Sequence, residues 1–198
     1  PEQRGGFPCP TVGVVTNGSR LLEPGVLDAI CENKIILIIS FPSCVPESYG
    51  SAVWDDPGRG SKLLGIVTPG IRAAMSLRSK GLFPELCFHI SPPEPEIVIP
   101  DFPKTVEFLT RMASEEKNTE LNLVMFPSPT NRSGLVAGIS GGSRSGKYST
   151  FDDLFRAYDG KVVNGVKVKM TLATHRFYNR TWEFVDLLRA FTFPCPWN

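Results

Sequence analysis

The stretch TVGVVTNGSRLLEPGVLDAICENKIILIIS, Thr11 to Ser40, decides the fold class. Val12, Val14 and Val15 make a short β-like run that stops at the turn pair Asn17-Gly18. Val26 to Asn33 suits a short helix, and Ile35 to Ile39 is an unbroken apolar run of strand length, the pattern of a buried strand. Strand, turn, helix and strand in that order are the start of a layered, mixed α/β core.

Working outward, the unit is expected to repeat. Leu63 to Val67 reads as a strand, Pro69-Gly70 as a turn, Ile71 to Ser79 as a helix and Leu86 to Ile90 as a strand. The intervening Phe41 to Ser61 is rich in Pro, Gly and Ser and reads as irregular. Its Asp55 and Asp56 stand beside Pro57-Gly58, which marks the start of a turn rather than a catalytic or metal-binding carboxylate pair. Ser91 to Pro103 holds Pro92, Pro93, Pro95, Pro100 and Pro103 and reads as an extended connector or a groove wall. It is the candidate internal boundary, near 91–103, of what is otherwise a single compact domain over 1–198.

The second half continues the pattern. Thr105 to Lys117 is an amphipathic helix with Val106, Leu109 and Ala113 inward, and Leu121 to Phe126 is a strand. Thr150 and Asp153 form a capping box that starts a helix near Phe151, with Phe151, Leu154 and Phe155 on its buried stripe. Lys161 to Leu172 is a β-hairpin turning at Asn164-Gly165. Val166, Val168, Met170 and Leu172 alternate with Lys167, Lys169 and Thr171, so one face is buried and the other is basic and wet. Thr181 caps a C-terminal helix whose Phe184, Leu187, Leu188 and Phe191 follow helical spacing. Trp197 near the end docks on its own core or on another chain.

Composition sets outer limits. With 198 residues, 41% hydrophobic content and 13 Phe, the chain buries one substantial core, or at most two small ones. Its strongest apolar run, Ile35 to Phe41, is far too short to span a membrane, and no stretch reads as a secretory leader. The net charge of +1 gives no general attraction to nucleic acid. Locally the charge is uneven: Gly81 to Glu120 has eight acidic residues against three basic, and Arg144 to Arg180 the reverse. Such asymmetry suits an oriented protein partner or self-association. Cys9, Cys31, Cys44, Cys87 and Cys195 are too far apart for a compact metal motif, and five is an odd number. Reduced, structural cysteines and an intracellular, cytoplasmic setting are the expectation.

Chemistry concentrates in LVAGISGGSRSGKYST, Leu135 to Thr150. Gly141, Gly142, Ser143, Arg144, Ser145, Gly146 and Lys147 fit the phosphate-loop spacing, although Tyr148 takes the place of the small hydroxyl that holds magnesium and Ser149 comes one place late. Glycines let backbone N–H groups converge on a phosphate, and the lysine reaches its terminal oxygens. The loop resembles those of P-loop kinases of the uridine-kinase type over about ten residues. That resemblance implies an ATP and magnesium site made of Gly141, Gly142, Gly146, Lys147 and Ser149. Gly138, Ile139, Ser140, Gly141 and Gly142 also satisfy G-x-S-x-G and resemble the nucleophile elbow of α/β-hydrolases. This second resemblance implies a Ser140 nucleophile and a His175 base, with Asp152, Asp153 or Asp159 as the acid.

A third reading asks least of the sequence. The loop is a basic surface segment, with Arg144 and Lys147 facing solvent or an acidic partner. On this reading the protein is a non-catalytic structural or interaction protein without cofactor. Its contacts are Arg144, Lys147, Lys167, Lys169 and Trp197, made with a protein partner, a second copy or a polyanion. This is the leading expectation; the phosphotransferase and the serine hydrolase are the alternatives.

Overall fold

The computed structural model describes residues 12–54, 56–83, 85–90, 95–125 and 151–172. Within them the fold is mixed α/β. The elements are β1 (Gly13–Thr16), α1 (Val26–Glu32), β2 (Ile36–Ser40), α2 (Pro46–Trp54), a 3₁₀ turn (Pro57–Arg59), α3 (Gly60–Ser79) and β3 (Leu86–His89). After these come α4 (Pro95–Glu115), β4 (Glu120–Met125), α5 (Phe151–Tyr158), β5 (Val162–Val163) and β6 (Val166–Leu172). Six strands form one sheet in the order β1-β2-β3-β4-β6-β5. All neighbours are parallel except β5, the short antiparallel edge strand.

Because the five parallel strands follow each other in chain order, every crossover between them steps the same way across the sheet. Crossovers of one hand that all step one way put their helices on one face. The core shows that they do. Leu37 and Ile39 of β2, Leu86 and Phe88 of β3, Leu121 and Leu123 of β4, and Val166, Val168 and Met170 of β6 belong to one apolar cluster. The registers Ile39↔Phe88, Phe88↔Leu123 and Leu123↔Met170 align these side chains on a single face. Helices supply the rest: Val67, Ile71, Ala74 and Met75 from α3, Phe102, Val106 and Leu109 from α4, and Leu154 from α5. The side chains at alternate positions, among them Ile36, Ile38 and Val124, lie outside that cluster.

Much of the sequence expectation holds. The Thr11 to Ser40 unit folds as strand, turn, helix and strand, and Gly18 sits at φ 81 in its turn. Asn164 and Gly165 both have positive φ, 51 and 77, as a type I′ hairpin turn requires. Asp56 indeed opens a turn: its side chain accepts the Gly58 N–H at 3.0 Å and its other oxygen pairs with Arg59.

Three segments differ. The expected strand at Leu63 to Val67 and turn at Pro69-Gly70 are instead parts of the continuous 20-residue helix α3. Leu63, Leu64, Val67, Ile71, Ala74 and Met75 recur at helical spacing against the core, and that burial outweighs the hydrogen bond that Pro69 cannot make. Pro69 is exposed, while Gly70 lies against Leu21, where a Cβ would sit 3.0 Å from the Leu21 Cβ.

The second difference is Phe41 to Ser61, which holds α2 and the 3₁₀ turn rather than irregular chain. Pro46 is the first residue of α2, a position where its missing N–H costs nothing. Gly50 and Gly60 are contact points between α2 and the start of α3.

The third is the proline-rich stretch. From Pro95 onward it is not an extended connector but the beginning of α4, with Pro100 and Pro103 inside the helix and Phe102 fully buried. The strands before and after it, β3 and β4, are partners in the same sheet. The expected C-terminal helix from Thr181 lies outside the described residues.

Candidate functional site

A parallel sheet gathers the C-terminal ends of its strands along one edge, and open α/β sheets bind ligands beyond that edge. Here the edge is formed by Thr16, Ser40, His89, Met125 and Leu172. At β2 it is tightly tied. The Ser43 hydroxyl accepts the Val45 N–H at 2.9 Å and donates to Asp101 Oδ2 at 3.0 Å. The Cys44 N–H donates to Thr105 Oγ1 at 3.1 Å. These bonds anchor the β2–α2 junction to α4, and a fully buried Ser43 is thereby structural. Phe41 stacks on Phe108 with centroids 6.0 Å apart and tilts against Tyr49 at 5.5 Å. The Tyr49 hydroxyl is buried without a hydrogen-bond partner among the described residues, and burial pushes its pKa up to about 12.

Further along the edge, Ser40 and His89 are register partners, as are His89 and Val124. Burial pulls the His89 imidazole down to about 4, so the ring is neutral at physiological pH. Sequence reading had no means of singling out His89. Its only signal is a position at the end of the apolar run Leu86–Ile90, which becomes meaningful once the strand order places it centrally.

The loop candidates Ser140, Gly141, Gly142, Arg144, Gly146, Lys147 and Ser149 lie outside the described residues, as do His175 and Trp197. Their points of departure are described. Residues 126–150 join the end of β4 to α5, and residues 173–198 follow β6. Met125 and Leu172, the last residues of those two strands, are register partners. The strand ends from which the chain continues to Ser140 and Lys147 and to His175 are therefore neighbours, on the edge that also carries His89. Of the carboxylates considered for a triad, Asp159 is committed elsewhere: its Oδ1 accepts the Met170 N–H at 2.8 Å and ties the end of α5 to β6.

The lysines of β6 stand where alternation requires. Lys167 and Lys169 are exposed on the face away from the helices, while Val166 and Val168 are buried beneath. Lys169 Nζ reaches Glu120 Oε2 at 2.7 Å across the β4–β6 pair, and its hydrogen bond holds the Glu120 carboxyl below the usual range. Internal pairing also uses up part of the acidic region. Arg72 on α3 meets Glu115, the last residue of α4, at 2.6 Å and Glu116 just beyond it at 3.3 Å. The acidic residues of Gly81 to Glu120 thus partly serve the fold itself, which leaves the basic side as the less balanced one.

Among the described residues, no three His, Cys, Asp or Glu side chains lie together in a way that would hold a metal ion, and no helix is long and apolar enough to cross a membrane. Cys31, Cys44 and Cys87 are free thiols, each with its pKa raised by burial. No protein-family model, curated protein or solved structure matches the chain.

Proposed function

We propose that the protein is a non-catalytic interaction protein that engages an acidic surface of a protein partner through the lysine row of β6. The observation that supports it is the outward placement of Lys167 and Lys169 on a sheet face to which no described helix is applied. Sheet strands hold these side chains at a fixed two-residue spacing, so the row is preorganised, with Glu120 offsetting one of its two charges. Arg144 and Lys147 extend the basic character into the segment between β4 and α5. The test is binding of a labelled Asp/Glu-rich peptide at low salt. Wild type binds, and Lys167→Glu combined with Lys169→Gln weakens binding about tenfold or more. Absence of binding to wild type removes this reading.

One observation favours a catalytic second reading. The glycine-rich segment leaves the C-terminal end of a central parallel strand and leads to a helix, which is where α/β folds place phosphate and nucleophile loops. In the phosphotransferase form, Lys147 and backbone N–H groups stabilise charge on the transferred phosphoryl group of a magnesium-bound nucleoside triphosphate. In the hydrolase form, Ser140 attacks and His175 takes its proton. Calorimetry with ATP and magnesium on wild type and Lys147→Ala tests the first. A fluorophosphonate probe on wild type and Ser140→Ala tests the second. Saturable binding lost in the variant, or labelling lost in the variant, decides for that form.

A further inference from the structure

Two Asn-Gly pairs occur in the chain, Asn17-Gly18 and Asn164-Gly165, and both stand at turns with positive φ. At such a pair a chain can react with itself. A glycine without a Cβ leaves its backbone nitrogen open to the preceding carboxamide carbon, and the five-membered ring closes by rotation about the asparagine's own bonds. What the fold does with the carboxamide differs between the two turns.

At Asn17 the fold prepares the reacting carbonyl. Asn17 and Ser19 are exposed just beyond the end of β1. The Ser19 N–H donates to Asn17 Oδ1 at 3.0 Å, and the Ser19 hydroxyl donates to the same oxygen at 2.8 Å. Two donors on one carbonyl oxygen draw electrons from Cγ and stabilise the charge that the oxygen acquires when the carbon is attacked. The nucleophile is also held, because the Gly18 N–H donates to Thr16 Oγ1 at 3.1 Å. Gly18 is buried and Thr16 half-buried, so the threonine hydroxyl offers the amide proton a route to water. Among the described residues no hydrogen bond holds Asn17 Nδ2, the leaving group.

At Asn164 the fold opposes the same reaction. Its Nδ2 donates to the Glu107 carbonyl at 3.2 Å and to Thr110 Oγ1 at 3.1 Å. Turning the carboxamide onto the Gly165 nitrogen breaks both bonds to α4.

The geometry points to Asn17-Gly18 as a site of spontaneous self-modification, where the chain converts its own asparagine into aspartate and isoaspartate through a cyclic imide. Gly18 N gives up its proton to a solvent base by way of Thr16 and forms a bond to Asn17 Cγ. The Cγ–Nδ2 bond breaks, and Nδ2 leaves as ammonia with a proton from water. Water then opens the ring. Addition at Cγ gives aspartate in an ordinary backbone; addition at the main-chain carbonyl gives isoaspartate, whose backbone runs through the side chain. Water enters, ammonia leaves, and nothing is oxidised or reduced. Either product places a negative charge at the β1 end of the strand-end edge. The isoaspartate also lengthens the backbone just before Gly18, where an added Cβ would already lie 3.1 Å from Val67 and 3.4 Å from Ile39.

Peptide mapping by mass spectrometry, during incubation of the full chain at mildly alkaline pH, tests it. The peptide with Asn17 is expected to gain the mass of amide-to-acid conversion and to split into two products. It is expected to do so about tenfold faster than the peptide with Asn164. In denaturant the two pairs are expected to react at similar rates, which assigns the difference to the fold. Ser19→Ala, an exposed substitution, removes one donor and is expected to slow conversion of Asn17 about fivefold. An unmodified Asn17, equal conversion of the two pairs in the folded protein, a difference that persists in denaturant, or undiminished conversion in Ser19→Ala each overturns the proposal.

Discussion

The backbone of Gly60, the first residue of α3, lies directly against the carbonyl of Pro46, the first residue of α2, leaving no room for a Cβ. Gly50, in the middle of α2, makes the reciprocal approach, with its missing Cβ 2.9 Å from the Gly60 nitrogen. Neither contact is with a flexible side-chain end, so neither can yield cheaply. Gly60→Ala is therefore expected to cost about 3 kcal/mol through overpacking. Gly65 is the control. It sits mid-helix on α3 with nothing near its Cβ direction, so Gly65→Ala is expected to stabilise by about 0.5–1 kcal/mol. Urea unfolding of both variants checks the pair; similar effects at the two sites would refute the contact.

Tyr49 offers a test of opposite sign. Its ring is fully buried against Phe41, and its hydroxyl has given up water without gaining a partner among the described residues. An unsatisfied buried hydroxyl costs about 1–3 kcal/mol. Tyr49→Phe keeps the ring and removes that penalty, so an increase in stability of about 1 kcal/mol is expected. A loss of stability in thermal or chemical unfolding would mean that the hydroxyl does make a bond.

These glycines and the tyrosine also mark where sequence reading ends. The strands β1, β2, β3, β4 and β6 were legible because strand-length apolar runs and two-residue alternation are local properties. The hairpin was legible because Asn164-Gly165 tolerates positive φ. Phe41 to Ser61 was not, because Gly and Pro punctuate a chain by local rules, whereas Gly50 and Gly60 are there to let backbones approach. Pro69 hid α3 for the same reason, and Pro100 and Pro103 hid the start of α4. Of the candidate site, the outward lysines followed from alternation alone. The adjacency of Met125 and Leu172, and the central position of His89, depend on strand order, which no local pattern encodes.

The hairpin turn does more than reverse the chain. Asn164 Nδ2 donates to the Glu107 carbonyl at 3.2 Å and to Thr110 Oγ1 at 3.1 Å, so the turn is fastened to α4. Asn164→Gly keeps the backbone conformation and loses only those bonds, at an expected cost of about 0.5–1 kcal/mol. Asn164→Ala loses the same bonds and also places at φ 51 a residue that tolerates the left-handed region less well than Asn or Gly, and is expected to cost about 1–2 kcal/mol more than Asn164→Gly. In thermal unfolding, an Asn164→Gly variant as stable as wild type would show that the bonds to α4 contribute nothing, and equal losses in the two variants would show that the left-handed backbone adds no strain for Ala.

His89 gives the chain a pH dependence whose sign is fixed by burial. The folded-state pKa is about 4, below the ordinary value of 6.5, and the largest cause is desolvation of the charged ring. Between those values the unfolded chain binds a proton that the folded chain refuses, so the unfolded state gains as pH falls. The stability is complete above about pH 6.5 and declines as pH drops toward 4. With solvent reaching part of the ring, the loss attributable to His89 is about 2 kcal/mol. His89→Gln cannot take up the proton and is expected to remove that part of the slope between pH 7 and 4.5. The exposed carboxylates Glu23 and Glu120, held low by Arg20 and Lys169, lose their stabilisation only at more acidic pH and remain in both proteins. Denaturant unfolding of wild type and His89→Gln across that range reads the difference directly. Parallel pH profiles would show that His89 is protonated as readily in the folded protein as in the unfolded chain.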